Sequence, residues 1–313
     1  MARLYAKFLA STGVVAGEKV HETTASKLMN GGVNGYKHSI DELLNEGGGA
    51  MFVDEAYQLS NGGSGSGHQI LDAIMDDAEN LTGRVVFVLA GYRKEMEDLM
   101  AHNPGLTSRF PHEFGFTDYE DNELHQMLLL QIHSQFHGRM KVEAGLDGLF
   151  ARIVAQRVGR GRDRPGFGNA RAVENALAKI HSRQVTRLSA ARLAKEPHDD
   201  FMLTKYDMLG PEPGEALQSS KAWLELQGLI GLGEVKRSIE ELMQSVQYNY
   251  TRELEEAPLS LFNLNRIFLG SPGTGKTTVA KLYGRVLSDL GLLSNGEGRC
   301  KPIRIVFGST DTD

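Results

Sequence analysis

Cysteine occurs once, at Cys300, so an internal disulfide and any cysteine-rich zinc site are excluded. That scarcity fits a reducing, cytoplasmic setting. Long hydrophobic runs are missing too: none approaches the roughly 18 apolar residues a membrane span needs, and no membrane partner is expected. Positive charge is not in excess. The 34 Lys and Arg stand against 40 Asp and Glu, a net charge of −6, and a general nucleic-acid or membrane-surface binder would want the opposite balance. What remains is an ordinary globular composition, 41 % hydrophobic and 24 % charged, in a chain of 313 residues with room for about two domains. Glycine is plentiful, at 36 residues, and it is where the chemistry concentrates.

The stretch Arg266-Ile-Phe-Leu-Gly-Ser-Pro-Gly-Thr-Gly-Lys-Thr-Thr278 is an apolar run, a glycine-rich turn and the start of a helical pattern that continues through Leu290. It predicts a strand, a phosphate cradle and a helix. Gly270, Gly273 and Gly275 let the backbone turn tightly and aim successive N–H groups inward, with Ser271, Pro272 and Thr274 between them. The helix start near Thr277 and Thr278 adds its positive dipole end. Lys276 neutralises phosphate charge, and Thr277 offers a hydroxyl to the magnesium ion that accompanies a nucleotide.

An internal repeat fixes the register of the rest. Ala2-Arg-Leu-Tyr-Ala-Lys-Phe-Leu9 matches Ala280-Lys-Leu-Tyr-Gly-Arg-Val-Leu287 at Ala, Leu, Tyr and Leu, with basic residues kept basic, and Gly13 falls on Gly291. The matched residues lie 278 apart, far longer than a solenoid repeat, which points to tandem duplication of a whole domain. The chain then reads as a segment that begins just after one cradle and ends soon after another, and its early Arg3 and Lys7 belong to a domain helix rather than a targeting peptide.

Residues 2–12 are therefore a helix, and residues 19–23 a short strand. Residues 28–35 read as a loop before a helix near 39–45, which the Gly47-Gly-Gly49 break ends. Ala50-Met-Phe-Val-Asp-Glu55 is a buried strand delivering two acids at its carboxyl end, where open α/β sheets place groups beside a ligand. Asp54 is suited to hold magnesium through water, and Glu55 to orient or deprotonate an attacking water. Residues 62–67 read as a flexible loop, 70–79 as a helix, 84–90 as a second buried strand, 103–111 as a turn into a short helix, and 113–116 as a further strand. From Asp118 the pattern is helical without strands: 120–136, 146–158 and 168–192, the longest. The segment Leu209-Gly-Pro-Glu-Pro-Gly214 opens a linker, and residues 229–236 lead into a long helix ending near Glu255. One strand-like run, 303–307, lies in the tail.

Five phrases together resemble the CbxX/CfqX branch of AAA+ ATPases, which includes red-type Rubisco activase and stage V sporulation protein K. They are Gly-Gly-Ala-Met-Phe-Val-Asp-Glu-Ala-Tyr57, Leu-Ala-Gly-Tyr-Arg-Lys-Glu-Met96, Asn-Pro-Gly-Leu-Thr-Ser-Arg-Phe110, Gly-Asn-Ala-Arg171 and Gly-Ser-Pro-Gly-Thr-Gly-Lys-Thr277. The resemblance implies an α/β fold, the AAA+ P-loop NTPase parallel sheet with helices on both faces and a small helical lid. It implies a first module core over 1–117 without its own P-loop, its lid over 118–209, a linker over 210–228 and the start of a second module over 229–313. It implies ATP and Mg2+ as cofactors, Asp54 and Glu55 as the Walker B pair, Arg109 as the arginine finger and Arg171 as the sensor on the lid. A homo-oligomeric ring, commonly a hexamer, acting on a protein client follows from the same likeness. The function so implied is ATP hydrolysis coupled to remodelling of a protein partner, with a nucleotide-regulated scaffold as the alternative.

The chain departs from the family in three places. Gly31-Gly-Val-Asn-Gly35 stands where the family usually carries a pore-loop aromatic, and Tyr92 where many AAA+ proteins place Asn or Thr. Neither copy is complete, which raises the alternative that residues 266–290 fill the vacancy in the first copy's sheet and make one composite site. Weaker signals resolve blandly. His133 and His137 share a helix face without the glutamate or third ligand of a zinc site, and Arg157, Arg160, Arg162 and Arg164 read as a contact for a neighbouring subunit or nucleotide rather than nucleic acid.

Overall fold

The computed structural model describes residues 2–15, 17–61, 65–102, 104–162, 166–261 and 263–292. Arg164 and the strand-like run 303–307 lie outside them. The chain divides into two compact units, Met1–Thr117 and Asp118–Asp313.

The first unit opens with α1 (Ala2–Ser11), which lays Ala6 and Leu9 against the sheet, and continues into β1 (Lys19–Thr24). Thr24 caps α2 (Ala25–Asn45) by accepting from the Lys27 N–H. The loop expected over 28–35 is instead part of this helix. Leu28, Tyr36, Ile40 and Leu43 recur at helical spacing and are buried, so the apolar stripe outweighs the low helix propensity of the glycines. The break survives as a kink at Gly32, at φ 61° and ψ −171°. β2 (Gly49–Asp54) follows, then α3 (Gln58–Asn61), α4 (Gly65–Asn80) and β3 (Val85–Leu89). Residues 65–67, read as loop, form the first turn of α4, where Gly67 is buried with room for no Cβ: one would lie 2.4 Å from the Leu59 carbonyl oxygen. α5 (Arg93–His102) and α6 (Pro104–Arg109) complete the unit.

The three strands pair in parallel in the order β1-β2-β3, with Gly49 opposite both Lys19 and Val85. Met51, Val53, Val85 and Phe87 alternate into a core shared with Tyr36 and Leu43 of α2 and Ile70 and Ile74 of α4. The strand expected over 113–116 does not form. Phe114 and Phe116 are exposed, and no strand among the described residues pairs with that backbone.

In the second unit, α7 (Asp121–Gln135) starts with a capping box between Glu120 and Glu123. β4 (Lys141–Val142), α8 (Leu149–Gly159), α9 (Ala170–Ala194), β5 (Met202–Leu203) and α10 (Lys205–Leu209) follow. The lid is therefore not strand-free: β4 and β5 make a two-residue parallel pair, too short to leave a periodic signature in sequence. Asp207, fully buried at the first turn of α10, takes three hydrogen bonds from Nε and Nη2 of Arg187 and one from the Thr204 N–H, which ties α9 to the end of the lid. Residues 210–228, read as a linker, carry two helices, α11 (Pro213–Ser219) and α12 (Lys221–Gly228). Pro213 sits in the first turn of α11, where its missing N–H costs nothing, and Ala222, Trp223 and Leu226 give α12 a buried face. α13 (Gly233–Leu254) and α14 (Lys276–Asp289) close the described structure.

Residues 266–270 are not a strand. Ile267 and Leu269 are each 84 % exposed while Phe268 turns into a cluster with Trp223, Leu242 and Tyr283. The alternation is that of one-sided packing, and among the described residues no strand forms over 266–270. Among the described residues no helix is long and apolar enough to cross a membrane.

Candidate nucleotide site

The cradle is built by backbone conformation. Gly270, Gly273 and Gly275 have φ of 151°, 81° and 82°, values that side-chain-bearing residues rarely adopt. Thr274 donates its hydroxyl to the Ser271 carbonyl at 2.8 Å and closes the turn. Gly275 is the N-cap of α14, so the first N–H groups of that helix, at Lys276, Thr277 and Thr278, lie at the loop's end and carry its positive dipole. The Lys276 ammonium donates to the Gly270 and Ser271 carbonyls at 2.7 Å each and so spans the loop. Exposed amides, a mobile-stemmed cation and two hydroxyls at a helix start are a donor set that fits phosphate oxygens and a hard cation.

Asp54 ends β2 and is exposed; its Oδ1 accepts from the Glu55 N–H at 2.9 Å. Glu55 takes φ 52°, an uncommon conformation for a side-chain-bearing residue, and its Oε2 accepts from Gln58 Nε2 at 2.6 Å. The backbone around it is fastened to the neighbouring strand end, Ala56 N–H to the Ala90 carbonyl and Ala90 N–H to the Val53 carbonyl, each at 2.9 Å. Thus the two acids stand side by side at the carboxyl end of the central strand. Gln58 holds Glu55 in place, a role the sequence signals only as an amide three residues on. Tyr92 is exposed beside this end of the sheet, its ring 6.1 Å from that of Tyr57.

Arg109, at the end of α6, is engaged inside its own unit: Nε donates to the Met75 carbonyl, Nη1 to the Gly105 carbonyl, and Nη2 pairs with Glu79 at 2.7 Å. Arg171 lies in the first turn of α9 with an exposed side chain. The preceding Asn169 is fixed by both ends of its amide, accepting from the Tyr119 N–H at 2.9 Å and donating to Asp118 at 2.7 Å. The Asp54–Glu55 pair and Arg109 thus belong to the first unit, and Arg171 and the cradle to the second.

The described arginines of the expected cluster, Arg157, Arg160 and Arg162, make ion pairs inside their own unit. Arg157 and Arg160 both pair with Glu253 of α13 at 2.6 Å, Arg152 with Glu256 at 2.7 Å, and Arg162 with Asp121. These guanidiniums are engaged within the unit: Arg152, Arg157 and Arg160 meet acids about a hundred residues on, and Arg162 meets Asp121, 41 residues back. Among the described residues no group of three or more His, Cys, Asp or Glu could hold a metal.

Comparison with known proteins places this architecture. Residues 121–219 match the AAA lid domain. A parallel α/β sheet preceding a helical lid, with acids at the end of its central strand, is the AAA+ fold. Within that class the relatives are proteins of the CbxX and CfxQ kind. The chloroplastic ribulose bisphosphate carboxylase/oxygenase activase of Cyanidioschyzon merolae is 31 % identical over 179 residues, 56 % of this chain and 56 % of that protein. CbbX of Cereibacter sphaeroides is 34 % identical over 146 residues, 46 % of this chain and 45 % of its own, and chromosomal CbxX of Cupriavidus necator 33 % over 165, 52 % and 50 %. The chain spans about half the length of the curated relatives it matches.

Proposed function

We propose that this chain binds ATP with magnesium at residues 270–278 and belongs to a protein that hydrolyses ATP to remodel a protein partner. The observation that carries this is the loop itself: three glycines at positive φ, a helix that starts directly after Gly275 and Lys276 lying across the carbonyls of Gly270 and Ser271. In this reading backbone N–H groups and Lys276 hold the β- and γ-phosphates and Thr277 offers its hydroxyl to their magnesium, while Asp54 serves magnesium in the module to which its own sheet belongs. Bound magnesium supplies charge neutralisation of the phosphate oxygens. Glu55, oriented by Gln58, positions and deprotonates the attacking water. Arg109 acts across an interface between subunits of a ring, which requires it to exchange Glu79 for the phosphoryl charge of a neighbour's nucleotide. Arg171 reads the γ-phosphate from the lid. A remodelling role on a protein client is in keeping with a relative that bears the name of an activase.

A second reading is a nucleotide-regulated scaffold whose first copy does not turn over. It draws on Tyr92, exposed beside the acids, and on the occupied state of Arg109. Replacing Glu55 in the intact protein separates the two. Glu55→Gln in a remodelling ATPase lowers turnover by two orders of magnitude or more, roughly the scale of a lost general base, and retains bound ATP in single-turnover filter assays. Unchanged turnover and client remodelling in Glu55→Gln would establish the scaffold instead. The isolated chain binds nucleotide and turns over slowly.

A further inference from the structure

The two repeat helices end alike. Val14 N–H reaches the Leu9 carbonyl and Leu292 N–H the Leu287 carbonyl, both at 2.9 Å, over Gly13 at φ 72° and Gly291 at φ 68°. Their outer faces, however, differ in cover. On α14, Leu282, Tyr283 and Val286 are 2 %, 6 % and 0 % exposed, packed against α12 in one cluster with Trp223 and Leu226, which Leu242 of α13 shares. The matching residues of α1 are Leu4, Tyr5 and Phe8, and they are 67 %, 39 % and 60 % exposed. Phe114, 71 % exposed, stands edge-on to Tyr5 at 6.4 Å, much as Phe268 stands to Tyr283 at 6.1 Å.

Charge repeats as well. Arg285 of α14 approaches Glu225 of α12 at 4.0 Å, and its counterpart on α1 is Lys7, exposed and without an ion-pair partner among the described residues. An apolar face of this size on one helix, whose twin is dry, is an interaction surface rather than a solvated one.

We propose that the Leu4, Tyr5 and Phe8 face of α1 is the seat of an amphipathic helix pair with the chemistry of α12 and α13: a Trp and Leu stripe to fill the face, and a carboxylate to meet Lys7. The occupant is a helical partner, not a nucleotide, so the inference stands apart from the cradle. A synthetic polypeptide of residues 213–268 is titrated onto the full chain by fluorescence anisotropy. One-to-one binding in the micromolar range is expected, weakened at least tenfold by the double variant Leu4→Glu/Phe8→Glu. Lys7→Glu should weaken it several-fold and a peptide with Glu225→Lys should restore it.

A peptide that fails to fold in isolation does not leave the question open. The same segment fused ahead of Ala2 through a glycine-serine linker should raise the melting temperature of the first unit by several degrees, and Leu4→Glu/Phe8→Glu should cancel the rise. Absence of both binding and the rise, or binding indifferent to the double variant, overturns the proposal. So does self-association of the chain that Leu4→Glu/Phe8→Glu abolishes, which would make a second copy the occupant.

Discussion

Gly48 shows how tightly single residues are constrained where the central strand begins, at the end opposite the acids. It sits at φ 96°, and a Cβ there would lie 2.2 Å from the Arg84 carbonyl oxygen; at Gly49 the same atom would lie 2.2 Å from the Lys19 carbonyl oxygen. The crowded atoms are backbone of the flanking strands, so nothing can swing aside. Gly48→Ala is expected to destabilise the first unit by about 3 kcal/mol or more, since backbone strain adds to the overlap; a urea melt in which it matches the parent would refute that packing. Residue-scale features of this sort were largely readable from sequence. The Gly47-Gly-Gly49 break and the cradle glycines announce themselves because each depends on local backbone geometry. The bonds of Arg109 did not, because Met75 and Glu79 come from α4, some thirty residues back, and nothing in the spacing of those residues marks them as partners.

At the scale of elements, the arginines of α8 and its following turn gather the carboxyl end of α13. Burial alone would push the Glu253 carboxyl up, but the hydrogen bonds and charges of Arg157 and Arg160 outweigh it and hold the group below its ordinary value of 4.5. A carboxyl held low in the folded chain takes up its proton more readily when unfolded. Its contribution to stability is therefore complete above about pH 4.5 and is lost as pH falls through that range toward the depressed folded value. Glu253→Gln should lower the stability of the second unit near neutral pH by about 3 kcal/mol, the scale of a broken buried pair, and flatten the loss of stability below pH 5. Thermal melts from pH 4 to 7 with the parent's midpoint and slope would contradict this. Sequence patterning found α4, α7, α8, α9, α13 and α14, and the internal repeat found α1. It missed the joining of α2 across Gly32, the brief β4 and β5 pair, and the exposed state of residues 266–270, each decided by what lies opposite rather than by local pattern.

Across the whole molecule, the residues assigned to nucleotide in the proposed function are distributed between two units. The first contributes a three-stranded sheet that presents Asp54 and Glu55, and the second a lid, a helical clasp and a glycine cradle. Equilibrium titration of the purified chain with ATP in the presence of magnesium, beside Lys276→Ala, tests the central claim most directly. The account predicts saturable micromolar binding that Lys276→Ala weakens by tenfold or more, since the variant removes the one cation that spans the loop. No affinity for either ATP or ADP, with Lys276→Ala indistinguishable from the parent, would contradict it.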